Sequence, residues 1–450
     1  MGAQPVMDAA GSGSGGGSSP PAGSGGRDGG GSPAGLPTGA PAGPPIVSPD
    51  RAIAYSAAAH AARDSYGRLV AVLAANTGDL ALAEDALADA FTTALERWPA
   101  SGIPDNPEGW LITVARNRQR DVWKSAAARA SAPLDLATTD FAEPFDAFDA
   151  VDPLRIPDRR LELCFTCAHP AIDEAARTPL MLQAVLGFDA AHIAAAYAVP
   201  TATMAQRLTR AKRRIARARI PFVVPDRRDL PERLPAVLEA VYGCAAITWR
   251  DDADSLAGEA RHLAVTLAGL LEREPEAWAL AALVTLSLAP PRSGPYVPLE
   301  EQSPASWDAP LIDEGEAYLR RAAALRGGAA PGRFELEAAI QAVHLDRRRT
   351  GTVDWAALRT LYSALLAVAP SLGARVAAAA VIGRTDGPAA GLAALPAGGE
   401  GFQPWWATRA DLLRRAGDEV DSDAAYAHAI ELARDPDVRA FLAERRSELR

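Results

Sequence analysis

The stretch from Thr201 to Arg219, TATMAQRLTRAKRRIARAR, restricts the fold of this chain more tightly than any other feature. Met204, Leu208, Ala211 and Ile215 recur at helical spacing, so one face of a helix needs a core to lie against. Gln206, Arg207, Arg210, Arg213, Arg214 and Arg217 fall on the remaining surface as a nearly continuous guanidinium stripe, in a segment that contains no acid. Taken alone, such a run is ordinarily a solvated face. What precedes it changes that reading. Asp189 to Tyr197 forms a shorter helical pattern with Asp189 placed to cap it and Ile193 and Tyr197 facing inward, and Ala198-Val199-Pro200 then breaks the chain. Two helices, a tight turn and a basic second helix make a helix-turn-helix, a motif whose second helix can enter the major groove with its early side chains at base edges. Gln206, Arg207 and Arg210 are the expected readers.

The whole chain bounds the rest. Its 450 residues suffice for two or three domains with cores of their own, and 48% of them are hydrophobic. The formal net charge is -10, which argues against a general nucleic-acid coat and for basic helices aimed at a defined target within an acidic protein. Three cysteines, Cys164, Cys167 and Cys244, are too few for a disulfide framework, and no secretory or membrane-spanning run is visible, so a cytoplasmic protein is expected. Cys164-Phe-Thr-Cys167-Ala-His169 offers three metal ligands without an evident fourth, and reads better as a helix carrying two buried thiols than as a zinc site. No P-loop, dinucleotide glycine pattern, HExxH or nucleophile–base pair is present, so neither an enzyme nor a cofactor is expected.

In chain order, residues 1–50 are rich in Gly, Pro and Ser and cannot offset their ordering entropy by burial, which predicts a disordered tail. Helical periodicity begins at Arg51, and Asn76-Thr-Gly78 interrupts it. A second helix is predicted over Asp79–Trp98, ended by Pro99 and Gly102, with Glu84, Asp85 and Asp89 as an acidic outer patch. That patch is either ordinary solvated surface or a dock for a basic partner. The third helix, Glu108–Arg129, lines up Arg116, Arg120 and Lys124 at successive turns. With Asn117, Trp110 and Trp123 nearby, it combines cations and flat rings as single-stranded DNA binders do, although a core role suits Trp110 better. Residues 130–157 read as a linker, and 158–222 as the domain holding the helix-turn-helix. Residues 223–450 read as stacked helical hairpins, with Pro290–Pro310 an irregular insertion and Gly417, Tyr426, Ala429 and Leu432 spaced like half of a tetratricopeptide repeat.

Three phrases carry a resemblance to a known family: Gly78-Asp-Leu-Ala-Leu-Ala-Glu-Asp-Ala-Leu-Ala-Asp-Ala-Phe91, Pro107-Glu-Gly-Trp-Leu-Ile-Thr-Val-Ala-Arg-Asn-Arg118 and Val199-Pro-Thr-Ala-Thr-Met-Ala-Gln-Arg-Leu-Thr-Arg-Ala-Lys-Arg-Arg214. In their order they resemble a bacterial RNA polymerase sigma factor of the extracytoplasmic-function type. Ile156-Pro-Asp-Arg-Arg-Leu-Glu-Leu-Cys-Phe-Thr-Cys-Ala-His-Pro170 is similar to the subgroup with a tetratricopeptide-like C-terminal extension. The resemblance implies an all-α chain: a region 2 domain over 51–129, a region 4 domain over 158–222 with its helix-turn-helix, and a helical extension over 223–450. It implies core RNA polymerase and promoter DNA as partners. Glu84, Asp85, Asp89 and Phe91 would dock on the polymerase. Trp110, Arg116, Asn117, Arg118, Arg120, Asp121 and Lys124 would hold the −10 element. Thr203, Gln206, Arg207, Arg210, Arg213, Arg214 and Arg217 would meet the −35 element, some at bases and the rest at phosphates. His192 stands where many relatives carry an acid, which is expected to remove a capping interaction. The extension would regulate the factor or contact a further partner. A reading of another class is a helical interaction scaffold that keeps this fold without starting transcription.

Overall fold

The computed structural model describes residues 49–129 and 158–449, apart from 198, 227, 249–255 and 293. The expected tail up to residue 48 and the expected linker over 130–157 lie outside the described residues. Among the described residues all regular secondary structure is helical, as the periodicity predicts.

Three long helices come first: α1 (Pro49–Thr77), α2 (Leu80–Ser101) and α3 (Pro107–Arg129). The corner between α1 and α2 falls where the sequence breaks. Gly78 adopts φ +67°, and Asp79 accepts the Leu82 N–H at 3.1 Å to cap α2. The far end of α2 differs from expectation, since the helix passes through Pro99 to Ser101. Proline's fixed φ suits a helix, but Pro99 can give no N–H to the ladder, and the helix ends two residues later. Gly102, at φ +83°, ends α2 and donates its N–H to the Trp98 carbonyl at 3.0 Å. Leu69, Leu73, Leu80, Leu87 and Leu111 are completely buried among the three helices, each worth about 2 kcal/mol of apolar burial.

A second group follows with α4 (Arg160–Cys167), α5 (Glu174–Ala184), α6 (Ala190–Ala196) and α7 (Thr201–Ala218). Helix α7 buries Met204, Leu208, Ala211 and Ile215, the four residues that its spacing predicts. It packs on α6 and α5, and Arg219 closes it in the left-handed conformation at φ +49°.

The rest is a succession of helices packed mainly on their sequence neighbours. These are α8 (Leu230–Ile247), α9 (Leu256–Leu270), α10 (Pro275–Leu288), α11 (Ala309–Arg326), α12 (Arg333–Leu345) and the single turn α13 (Arg347–Thr350). Then come α14 (Trp355–Val368), α15 (Leu372–Thr385), α16 (Pro388–Ala394), α17 (Gln403–Ala416), α18 (Glu419–Leu432) and α19 (Pro436–Ser447). Between α10 and α11 the chain is irregular, as expected, apart from a 3-10 turn at Pro304–Ser306, and it tucks Trp307 against Leu286, Ile312 and Leu345.

One buried apolar cluster runs without interruption from Ala54 in α1, through Leu208 in α7 and Val237 in α8, to Ala338 in α12. Helices α1 and α2 touch α4, α5 and α7 on one side, while α8 covers α5 and α4 on the other. Helices α4 and α5 are therefore packed between α1 and α8, and α7 lies against α2. Smaller clusters around Leu358 and Val381, and around Ala410 and Leu442, serve the later hairpins.

Candidate nucleic-acid interface

The α6–α7 pair, expected to be a helix-turn-helix, is built from its capping residue upward. One oxygen of Asp189 accepts the Ala191 and His192 N–H groups at 2.9 and 2.8 Å, fixing the start of α6. The other oxygen lies 2.9 Å from His192 Nδ1. This corrects the expectation for His192, whose imidazole joins the cap. The backbone hydrogen bond from His192, followed by that of its ring, holds the Asp189 carboxyl below the usual range.

On α7, Thr203, Gln206, Arg210, Arg213 and Arg217 are exposed, and Arg210 Nη2 donates to Gln206 Oε1 at 3.5 Å. The stripe is not uniform, however. Arg207 is half-buried and donates to the Ala175 carbonyl at 3.3 Å, and Arg214 donates from Nε to the Ala171 carbonyl at 3.2 Å. Both guanidinium groups are tied back to the start of α5 and the loop before it. Arg207, expected among the base readers, would have to release α5 to reach a base edge.

Glu84 requires a larger correction. It does not belong to an outer acidic patch; it faces α7 and pairs with Lys212, each side chain only 14% exposed. Burial raises its carboxyl above the usual range, against the lowering effect of Lys212. Glu84 sits only one turn from the buried Leu80 and Leu87, so closure by α7 shields it. What remains outside is Asp85, together with Asp89, whose carboxylate accepts from Arg118 Nε at 2.6 Å across α2 and α3. Phe91 is half-buried and packs against the core.

Along α3, Asn117, Arg118, Asp121 and Lys124 are exposed, whereas Arg116 and Arg120 are half-buried. Arg120 Nη1 donates to Asn117 Oδ1 at 3.4 Å. Trp110 is edge-on to Trp98, ring centres 5.5 Å apart, and packs against the core; the exposed ring on this helix is Trp123. Trp110 is thus placed for packing, and a stacking surface would have to come from Trp123.

Several contacts that organise this region were not anticipated. Glu108 accepts from both Arg68 and Ser65, locking α3 to α1. Gly67 lies so close to the chain at Val185 that a Cβ there would stand 1.7 Å from the Val185 carbonyl oxygen. The ring of Tyr66 covers Gly187, and burial, assisted by the charges of Glu84 and Asp85, raises its hydroxyl pKa. A glycine in mid-helix and a lone lysine flanking an apolar stripe were the available signals for this seam. The Cys164 and Cys167 thiols are buried, which pushes Cys164 up to about 12, while His169 Nδ1 accepts the Ala171 N–H at 3.1 Å. Among the described residues no group of three His, Cys, Asp or Glu side chains is placed to hold a metal, and no helix is long and apolar enough to cross a membrane.

Residues 62–129, from within α1 to the end of α3, match the family described as Sigma-70 region 2, and residues 233–323 match a family of unknown function, DUF6596. The uncharacterized protein R00370 of Rhizobium meliloti (strain 1021) is 33% identical over 379 residues, covering 81% of this chain and 89% of that protein. The probable ECF RNA polymerase sigma factor SigI of Mycobacterium tuberculosis (strain H37Rv) is 31% identical over 144 residues, covering 32% of this chain and 49% of that protein. No solved structure matches the chain. The chain belongs to the same family as the Rhizobium meliloti protein, and it carries a sigma-70 region 2 domain in α1 to α3.

Proposed function

We propose that this chain is an RNA polymerase sigma factor of the extracytoplasmic-function type, which binds core polymerase and directs it to promoters. One observation carries the reading: the Sigma-70 region 2 match over residues 62–129 is followed by a helix-turn-helix with an exposed cationic face. In this reading α2 docks on polymerase through Asp85 and the Asp89–Arg118 pair. Helix α3 holds the separated strand of the −10 element through Asn117, Arg118 and Lys124, with Trp123 available for stacking. Helix α7 reads the −35 element with Gln206 and Arg210 at base edges, and Thr203, Arg213 and Arg217 at the backbone. Arg207 and Arg214 support that helix through α5 and reach DNA only after letting go. The helical extension, of the tetratricopeptide-like kind, acts as the regulatory part.

No bond is made or broken in this role. Binding energy goes into positioning polymerase and capturing unstacked bases, so promoter binding weakens steeply with salt. The test is initiation by the full chain with core polymerase on templates that carry its candidate upstream sequences. Specific transcripts, with permanganate-reactive thymines near −10, are expected. Polymerase binding without initiation on any template would favour the helical scaffold reading instead.

A further inference from the structure

The proposed function makes no use of a cavity of about 240 Å³ enclosed by the helices from α8 to α19. Two groups on its wall stand out. His344 of α12 and Tyr362 of α14 are each only 5% exposed, yet among the described residues neither side chain has a hydrogen-bond partner. Their polar atoms are not sealed within the packing either, so they open on the cavity. Buried polar groups ordinarily find a partner in a folded chain, because losing water without replacing it is costly. Burial, above all, pushes His344 down to about 4, and it raises the Tyr362 hydroxyl. Near neutral pH both groups are therefore uncharged, and each offers one donor and an acceptor.

The formal charges on the same wall are already engaged. Arg384 pairs with Glu300 at 2.6 Å, Arg414 and Arg415 share Asp411 at 2.7 and 2.6 Å, and Arg445 pairs with Glu301. The fourth carboxylate of the wall, Glu337, is held by Arg333 at 2.8 Å. Four arginines thus face four carboxylates, each in an ion pair. A charged guest would give up its water here and meet no free counter-charge. The groups left to recognise a guest are the neutral ones.

Flat surfaces surround them. Trp355 stands edge-on to His344, ring centres 6.3 Å apart, and the Arg384 guanidinium, fixed by Glu300, lies 5.0 Å from the centre of the indole. Walls of this kind favour another ring. A cavity of about 150 Å³ accommodates benzene, so the volume here leaves room for one ring with polar substituents.

We propose that this cavity binds an uncharged single-ring aromatic molecule bearing both a hydrogen-bond donor and an acceptor, with its ring beside Trp355 and its polar groups at His344 and Tyr362. One guest then joins α12, α14 and α15. The inference concerns only the helices after α7 and is independent of the sigma-factor reading.

Benzamide, benzoate and benzamidinium test it, because they share one ring and nearly one shape and differ in charge. In saturation-transfer NMR titrations of the full chain at neutral pH, benzamide should bind saturably with a Kd below about 1 mM, and the two ions at least about tenfold more weakly. Tyr362→Phe removes only the hydroxyl and should weaken benzamide binding about fivefold, the loss of one neutral hydrogen bond. Since that hydroxyl has no partner in the protein, the urea midpoint of the ligand-free variant should not fall. Absence of saturable binding would assign His344 and Tyr362 to water and overturn the proposal. So would an ion that binds as tightly as benzamide, or an affinity that Tyr362→Phe leaves unchanged. A midpoint that drops in the variant would make the hydroxyl part of the fold rather than of a site, which overturns it equally.

Discussion

Lys212 is the only lysine on a helix whose other cations are arginines, and its partner Glu84 keeps one carboxylate oxygen buried without a hydrogen bond. A pair this shielded spends most of its Coulomb attraction on desolvation, so losing one member costs far more than replacing both. Lys212→Ala strands a buried carboxylate and is expected to lower the stability of the chain by about 2–4 kcal/mol. Adding Glu84→Leu should restore most of that, as read from urea midpoints. The same pair sets a pH dependence with a definite sign. Because the Glu84 carboxyl is raised in the folded chain, the native state holds its proton more tightly than the unfolded state does. Its contribution is fully present below the unfolded value and is lost as pH rises through the folded one, a window just above the usual carboxylate range. Urea midpoints should therefore fall across that window in the wild type, and Glu84→Gln should remove this part of the decline. An unchanged profile in Glu84→Gln would place the titrating group elsewhere.

At the scale of the element, α7 was legible because each of its faces carries its own signal: a four-residue apolar stripe that is buried and a basic remainder that is mostly exposed. Arg210→Ala should cost about 1–3 kcal/mol of promoter binding and relax preference at one base position, whereas Arg213→Ala should weaken binding evenly across sequences and reduce the salt slope. Competition binding on a randomised −35 element distinguishes the two. Helix α15 shows little pattern of its own, since Leu372–Thr385 is built largely from Ala, Gly and Val, whose small side chains give no sharp period. The seam between α1, α2 and the α5–α7 stretch was equally hidden. It depends on which surfaces meet, and neither Glu84 nor Gly67 signals its partner from local sequence. Gly67 allows the chain at Val185 to approach α1 directly. Gly67→Ala improves helix propensity by up to about 1 kcal/mol, yet forces these backbones apart, and a net loss of about 1–3 kcal/mol in urea unfolding is expected. A net gain would show that the seam yields readily.

At the scale of the molecule, the apolar cluster continuing from Ala54 to Ala338 makes the first half of residues 223–450 part of the core that holds α6 and α7. Helix α8 is the joint: Val237, Leu238 and Val241 are buried within that cluster, and the helix rests on α4 and α5. Removing everything after Pro225 would therefore reach into that core. It would uncover the faces of α4 and α5 that α8 protects, and each large apolar side chain returned to water costs about 1.5–3 kcal/mol. The later hairpins differ, because the cluster around Ala410 and Leu442 is separate from the main core. Two truncations test this arrangement. A chain ending at Pro396 should keep the main transition, reported by the tryptophans of α2 and α3, close to that of the full chain. A chain ending at Pro225 should unfold at a markedly lower urea concentration and self-associate in sedimentation velocity. If the shorter chain instead matched the full chain in both measurements, α4 and α5 would owe nothing to α8, and the two halves would be neighbours without a shared core.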